Sequence, residues 1–315
     1  MQSKKDVLVV GELNVDLILN GLDKFPEVGK EILARNMLLT LGSSSAIFAS
    51  NLAVLGSHVA FCGCIGRDGY ADKILHDLTQ KKVDCSYIIR SKTSDTGITV
   101  ALNVKEDRAM VTYPGAMNEL TADDITDEML SSAKHLHVSS IFLQPALKPG
   151  LVSLFKRARA LGLTTSLDPQ WDPAESWDCN LHELIPYVNV FLPNIEELKN
   201  ITGKKSMDEA LSAIGDAAAI VVVKNGSAGA TLYCKGKTTE QAPFLNKNVI
   251  DAIGAGDSFN AGFIHRFVHG APVESCLAFG ALCGAINTTQ AGGTTAFSDY
   301  EAVKRVAHSI FKFQV

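Results

Sequence analysis

Residues 7–21 read VLVVGELNVDLILNG. Val7 to Val10 are apolar without a break, which suits a strand buried on both faces, as in a parallel sheet covered by helices. From Asn14 the pattern turns to β-branched and alternating residues, the mark of a half-exposed strand. The chain therefore passes from one kind of sheet to another within a few residues.

Further continuous apolar runs follow at Val59–Gly66, Leu136–Phe142, Thr164–Asp168, Val188–Pro193 and Ala219–Lys224. Helical periodicity predicts helices between most of them, at Ala46–Leu55, Asp72–Lys82, Leu151–Leu161, Ile195–Thr202 and Asp208–Ala213. Strands alternating with helices predict an α/β domain around a mostly parallel sheet, flanked by helices on both faces. Two insertions, 14–40 and 86–114, lack that rhythm and are expected to pair as a small β-sheet lid over a cleft, leaving 1–13, 41–85 and 115–315 as the core. A small exposed sheet must cover one face and its edges, so a homodimer through the lid is a further expectation.

The composition narrows the class. A net charge of −5 with both signs interspersed offers no basic stripe, which argues against nucleic acid as a partner. Seven scattered cysteines, several in apolar runs, suit a reducing cytoplasm. No stretch approaches the roughly 18 apolar residues of a membrane helix, so no membrane partner is expected.

One stretch carries chemistry. In IGAGDSFNAGFIHRF, residues 253–267, small residues run into Asp257 at the head of a helical pattern that Gly270 and Pro272 close. Unpaired amides of Gly254, Ala255 and Gly256 at the positive end of a helix dipole would form an anion hole for phosphate. Asp257 read alone is most simply a helix cap. A carboxylate beside a phosphate site also suits a base that takes a hydroxyl proton during phosphoryl transfer. Asn225 to Gly229, after the run that ends in Lys224, is read equally as a hairpin turn or as a loop against a nucleotide. Neither GxxxxGK[ST] nor GxGxxG competes.

These motifs occur in an order that resembles the PfkB family of carbohydrate kinases, with its ribokinase-like fold. VVGELNVDLIL resembles the family's first strand, LGSSSAIFASNLAVLG its first signature, FLPNIEEL its N-x-x-E motif and DAIGAGDSFNAGF its second signature. The resemblance implies ATP and Mg2+ as cofactors, Asp257 as base and Gly254, Ala255 and Gly256 as the anion hole. It implies Asn194 and Glu197 as the residues that hold Mg2+ through water. Lys224, Asn225, Gly226, Ser227, Gly229 and Asn287 would hold adenine and ribose. Asn14, Asp16, Gly42, Ser43, Gln144 and the strand-end Asp168 would face the sugar, and Asp251 is similar to a residue of the monovalent-cation (K+) site of some members.

The departures narrow the substrate. Ile47 stands where the family has an asparagine, and Ser43 where it has a second glycine. The triplet Ser43, Ser44, Ser45 offers no lysine for a phosphorylated sugar. Ala252 replaces a common threonine, and QWDP follows SLDP where fructokinase-like members carry asparagine and arginine. The expected substrate is an unphosphorylated sugar such as ribose, fructose or a relative. Alternatives are a nucleoside or pseudouridine kinase, and a catalytically silent sugar-binding protein.

Other candidates have simpler readings. His265 and His269 lack a third zinc ligand and are expected at the surface. His135 and His137 are expected at a strand edge with one facing away. The Cys62–Cys64 spacing is not that of a redox pair, Asp123, Asp124, Asp127 and Glu128 suit a solvated helix start, and Trp171 and Trp177 suit a sugar face or a core cover equally.

Overall fold

The computed structural model describes residues 4–104 and 107–314. Among these residues thirteen strands fall into two sheets. The larger contains β1 (Lys5–Val10), β4 (Val59–Ile65), β5 (Asp84–Arg90), β8 (Ala133–Ser139), β9 (Thr164–Asp168), β10 (Val190–Phe191), β11 (Ile220–Lys224), β12 (Ala230–Cys234) and β13 (Lys237–Gln241), in the order β13-β12-β11-β10-β9-β8-β1-β4-β5. All are parallel except β12 and β13, which end the sheet as antiparallel hairpin strands.

Helices cover both faces: α1 (Ser44–Val54), α2 (Gly69–Gln80), α3 (Asp127–Ser131), α4 (Leu151–Ala160), α5 (Leu181–Leu184), α6 (Ile195–Thr202), α7 (Met207–Ile214), α8 (Ala255–Val268), α9 (Val273–Asn287) and α10 (Tyr300–Ser309). The two-residue repeat of a strand divides the apolar run in β1 between them. Val7 and Val9 join the core under α1, α2 and α8 to α10, while Leu8 and Val10 join the core under α3 to α7. This division explains why the run had to be apolar at every position.

The smaller sheet has the order β3-β2-β6-β7, built from β2 (Asn14–Asn20), β3 (Asn36–Leu41), β6 (Gly97–Val104) and β7 (Asp107–Tyr113). β2 and β6 pair in parallel and join the two insertions. The insertion 86–114 is not wholly part of this sheet, because its first residues belong to β5, which pairs in parallel with β4 at the edge of the larger one. An edge strand is covered less completely, so DCSYIIR has the mixed pattern of a lid strand. Residues 105–106 of that insertion lie outside the described residues.

His135 and His137 correct another expectation. β8 lies between β1 and β9 rather than at an edge, and residues two apart face the same side. Both rings are fully buried and both contact Ser166 Oγ at 2.7 Å, with burial holding both neutral. His265 is half-buried against Ser57, 2.9 Å from its hydroxyl. Among the described residues no cluster of three metal-ligating side chains occurs and no helix is long and apolar enough to cross a membrane.

Candidate active site

The carboxyl ends of the parallel strands open into a cavity of about 870 Å³ that the smaller sheet partly roofs. This is where an open α/β sheet places its ligands. Asn14, Asp16, Ser43, Ile47, Asn194, Glu197, Lys224, Gly226, Ser227, Gly229 and residues 254–257 all line it. They come from segments far apart in sequence.

At one end of the floor is the start of α8. Gly254 is its N-cap, in the left-handed region at φ 74°, and a Cβ there would lie 2.6 Å from Gly293 Cα. Only glycine fits without displacing that backbone. Asp257 is therefore the third helical residue, and it does not cap the helix: no side chain bonds the exposed amides. Its Oδ1 instead accepts from Ser44 Oγ and from Gln170 Nε2. Burial, with Asp168 adding to it and Ser44 opposing, pushes the Asp257 carboxyl up to about 7. The amides of Gly254, Gly256 and Asp257 bond to nothing among the described residues, but that of Ala255 turns back to the Ala252 carbonyl at 3.2 Å. The open donors thus differ by one residue from those expected.

Asn194 caps α6 and forms a reciprocal box with Glu197: Asn194 N donates to Oε2 at 2.8 Å and Nδ2 to Oε1 at 2.6 Å, while Glu197 N donates to Asn194 Oδ1 at 2.8 Å. Burial, reinforced by Asp168, pushes Glu197 up to about 7. With both carboxylate oxygens already accepting bonds, the pair suits an ion that keeps its waters and takes its direct ligands from a phosphate chain.

Lys224 ends β11 beside the Gly226–Gly229 turn, but its side chain engages an acid. Its ammonium contacts Asp168 Oδ2 at 2.9 Å, and a Cβ on Gly256 would be 3.7 Å from Nζ. Burial works against its charge, yet Asp168 and Glu197 outweigh that and raise its pKa. The turn itself is the hairpin between β11 and β12, with Gly226, Ser227 and Gly229 on the cavity and Asn225 outside its lining.

At the other end, Asn14 Nδ2 bonds Asp16 Oδ1 at 3.0 Å and Thr99 Oγ1 at 3.1 Å across the smaller sheet. Burial pushes Asp16 up to about 6. Gly42 does not line the cavity but makes it possible: a Cβ there would fall 2.2 Å from Asp16 Oδ1. Ser43 keeps a glycine-like φ of 68°, held by accepting from Ala46 N at 2.9 Å and donating to the Glu12 carbonyl at 2.6 Å. Ile47 packs against Gly254 and Gly293. Of the two tryptophans, Trp171 faces the cavity and stacks edge-on against Trp177 at 4.9 Å.

Four expected contacts are not made. Gln144 is fully buried, its amide bonding the carbonyls of Ser139 and Ser140 at 2.8 and 3.2 Å. Asp168 is also fully buried, held by Lys224, Gln170 and Asn260. Asn287 is buried behind the start of α8, bonding the Ile253 carbonyl and Ser258 Oγ rather than facing a nucleotide. Asp251 accepts from Ile253 N at 2.9 Å and Gly292 N at 3.0 Å, with Arg108 of β7 3.6 Å away. Each Asp251 oxygen thus accepts one backbone amide beside a guanidinium, a setting that disfavours a bound cation.

Glu12, Ser44, Gln170 and Arg108 were not anticipated, although all line the cavity. Glu12 and Gln170 each lie two residues past a strand end, and a polar residue just beyond a strand of a parallel sheet is a signal that could have found both.

The chain belongs to the pfkB family of carbohydrate kinases, whose pattern matches residues 4–299. It is 27% identical to a ribokinase of Staphylococcus aureus, over 82% of this chain and 85% of that one. It is 29% identical to a 2-dehydro-3-deoxygluconokinase of Bacillus subtilis, over 80% and 82%. Its fold superposes on the structure of Arabidopsis thaliana ribokinase complexed with ribose and ATP with a TM-score of 0.82 at 23% identity, covering 99% of this chain and 100% of that one. The protein is thus a ribokinase-like carbohydrate kinase, a phosphotransferase with an alcohol acceptor that uses ATP and a divalent metal.

Proposed function

We propose that this kinase phosphorylates a hydroxyl of an unphosphorylated sugar, such as ribose, fructose or a relative, with Asp257 as base and Mg2+ as the metal. The observation that carries the reading is the start of α8, where a carboxylate and unpaired amides share one helix end on the cavity.

When bound, ATP would supply the transferred group and a divalent metal would neutralise charge on its phosphates. The chain supplies the rest. Phe244, Leu245 and Val249 give an apolar slot for adenine beside Gly226 and Ser227. Glu197 and Asn194 hold the hydrated metal, and the Gly256 and Asp257 amides, with Lys224 beside them, stabilise charge on the moving phosphoryl group. Asp257, ionising near neutral pH, accepts the hydroxyl proton. Asn14 and Asp16 bind the sugar from the smaller sheet, which as a lid keeps water from the phosphate. The acceptor carries no phosphate of its own, because among the described residues the sugar end is lined by Asp16 and Glu12, and Arg108, the cation beside them, faces Asp251. Exposed Met37, Val111 and Tyr113 on the smaller sheet favour a homodimer through the lid, which sedimentation would test.

Purified protein with Mg-ATP should release ADP only when a suitable free sugar is added. A screen of free sugars, sugar phosphates and nucleosides decides the class. ADP release with a nucleoside alone would reject this reading in favour of the nucleoside kinase, and a sugar-induced rise in Tm without ADP release would favour a silent binder.

A further inference from the structure

Gln170 lies two residues beyond β9 at φ 60°, a left-handed backbone that non-glycine residues adopt rarely. The turn aims its amide into the cavity. Nε2 lies 2.8 Å from Ser44 Oγ, 2.9 Å from Asp168 Oδ2 and 3.1 Å from Asp257 Oδ1. A primary amide has two protons to donate. One serves Asp168, and the other is shared between Ser44 and Asp257. The Ser44 hydroxyl, at the first residue of α1, donates to the same Asp257 oxygen. Oδ1 of Asp257 thus has two donors from separate elements, whereas Oδ2 accepts nothing from the described residues.

We propose that Gln170, together with Ser44, is a positioning residue that pins Oδ1 of Asp257 and so presents Oδ2 to the acceptor hydroxyl. The inference rests on the reading of Asp257 as base. The same amide separates two carboxylates, Asp257 and Asp168, that would otherwise face each other with only Lys224 to offset them. The charged groups facing Asp257 are Asp168 from β9, Lys224 from β11 and Glu12 from the end of β1. Gln170 and Ser44 are neutral donors among them, and a hydrogen bond from either favours the ionised form. Without Gln170, Asp257 loses both a fixed rotamer and a hydrogen bond to its anion.

The test is the pH dependence of sugar-dependent ADP release. Gln170→Leu keeps much of the volume and removes the donors. It should lower kcat by about tenfold or more, leave the KM for ATP within about twofold, and move the acid limb of the kcat/KM profile upward by about one pH unit. Gln170→Glu, which adds a third acid, should move the limb further. Ser44→Ala should move it in the same direction by less, and it decides the question if the Gln170 variants do not fold. An acid limb identical to the wild type in folded Gln170→Leu, or in Ser44→Ala where Gln170 variants fail to fold, overturns the proposal. Asp257→Asn separates the two readings. If that variant turns over normally, the base assignment fails. If it is inactive while Gln170→Leu keeps the wild-type profile, only the positioning role fails.

Discussion

Two helices begin at the cleft, and their first turns are finished in opposite ways. α1 starts from Ser43 and α8 from Gly254, both left-handed at φ 68° and 74°. Ser43 closes its helix: its hydroxyl takes the Ala46 amide and anchors to the Glu12 carbonyl. Gly254 leaves the end of α8 open, with the Gly256 and Asp257 amides unpaired among the described residues. A closed helix start is a wall, and an open one has donors and a dipole ready for an anion. The acid that could have closed α8 is turned sideways by Ser44 and Gln170, so the same helix end carries both open amides and a carboxylate.

Closing the open end should do the most damage. Gly254→Asp would put a carboxylate over the amides and a Cβ against Gly293, and turnover should fall by about 10³ with weakened ATP binding, read by ADP release and calorimetry. Near-normal turnover would show that the open amides are incidental.

The buried acid should show in stability. The Asp257 carboxyl lies at about 7 in the fold against 3.8 for a free aspartate, so its neutral form stabilises the fold fully below 3.8, and that contribution is lost as pH rises through about 7. Asp257→Asn should therefore be more stable than wild type at pH 8, by on the order of 2–4 kcal/mol, with the gap closing toward pH 4. Urea melts at the two values check this, and a gap that does not depend on pH would contradict it.

On the sugar side, Gly42→Ala would press a methyl group onto Asp16. The KM for sugar should rise by about tenfold or more while the KM for ATP holds, because the nucleotide end is untouched. The smallest change should follow opening the closed end. Ser43→Gly removes a cap where the backbone already has a glycine conformation, so the two effects nearly offset and stability should shift by only a few tenths of a kcal/mol.

The contrast also marks what the sequence made legible. Continuous apolar runs such as VLVVG and AIVVVK located the parallel strands, because burial on both faces leaves no polar position to blur the pattern. Strand β5 was read as lid because an edge strand has half-exposed positions. Asn14, Asp16, Asn194, Glu197 and residues 254–257 do meet on one cavity. Gln144, Asp168 and Asn287 were expected to face ligands but are buried, since periodicity does not say whether a polar side chain at a strand or helix end turns toward the cleft or under it. Gln170 was noticed only as a departure from relatives, and its contact with Asp257 depends on a left-handed turn that a glutamine does not announce.

The central claim is that the carboxylate at the open end of α8 takes the acceptor proton. The most direct measurement is kcat for sugar-dependent ADP release by Asp257→Asn, taken alongside calorimetric affinities for ATP and the sugar. That kcat should be lower by about 10³, near the middle of the range for losing a general base, with both affinities within a few fold of wild type. A kcat equal to that of the wild type, with the affinities unchanged, would contradict it.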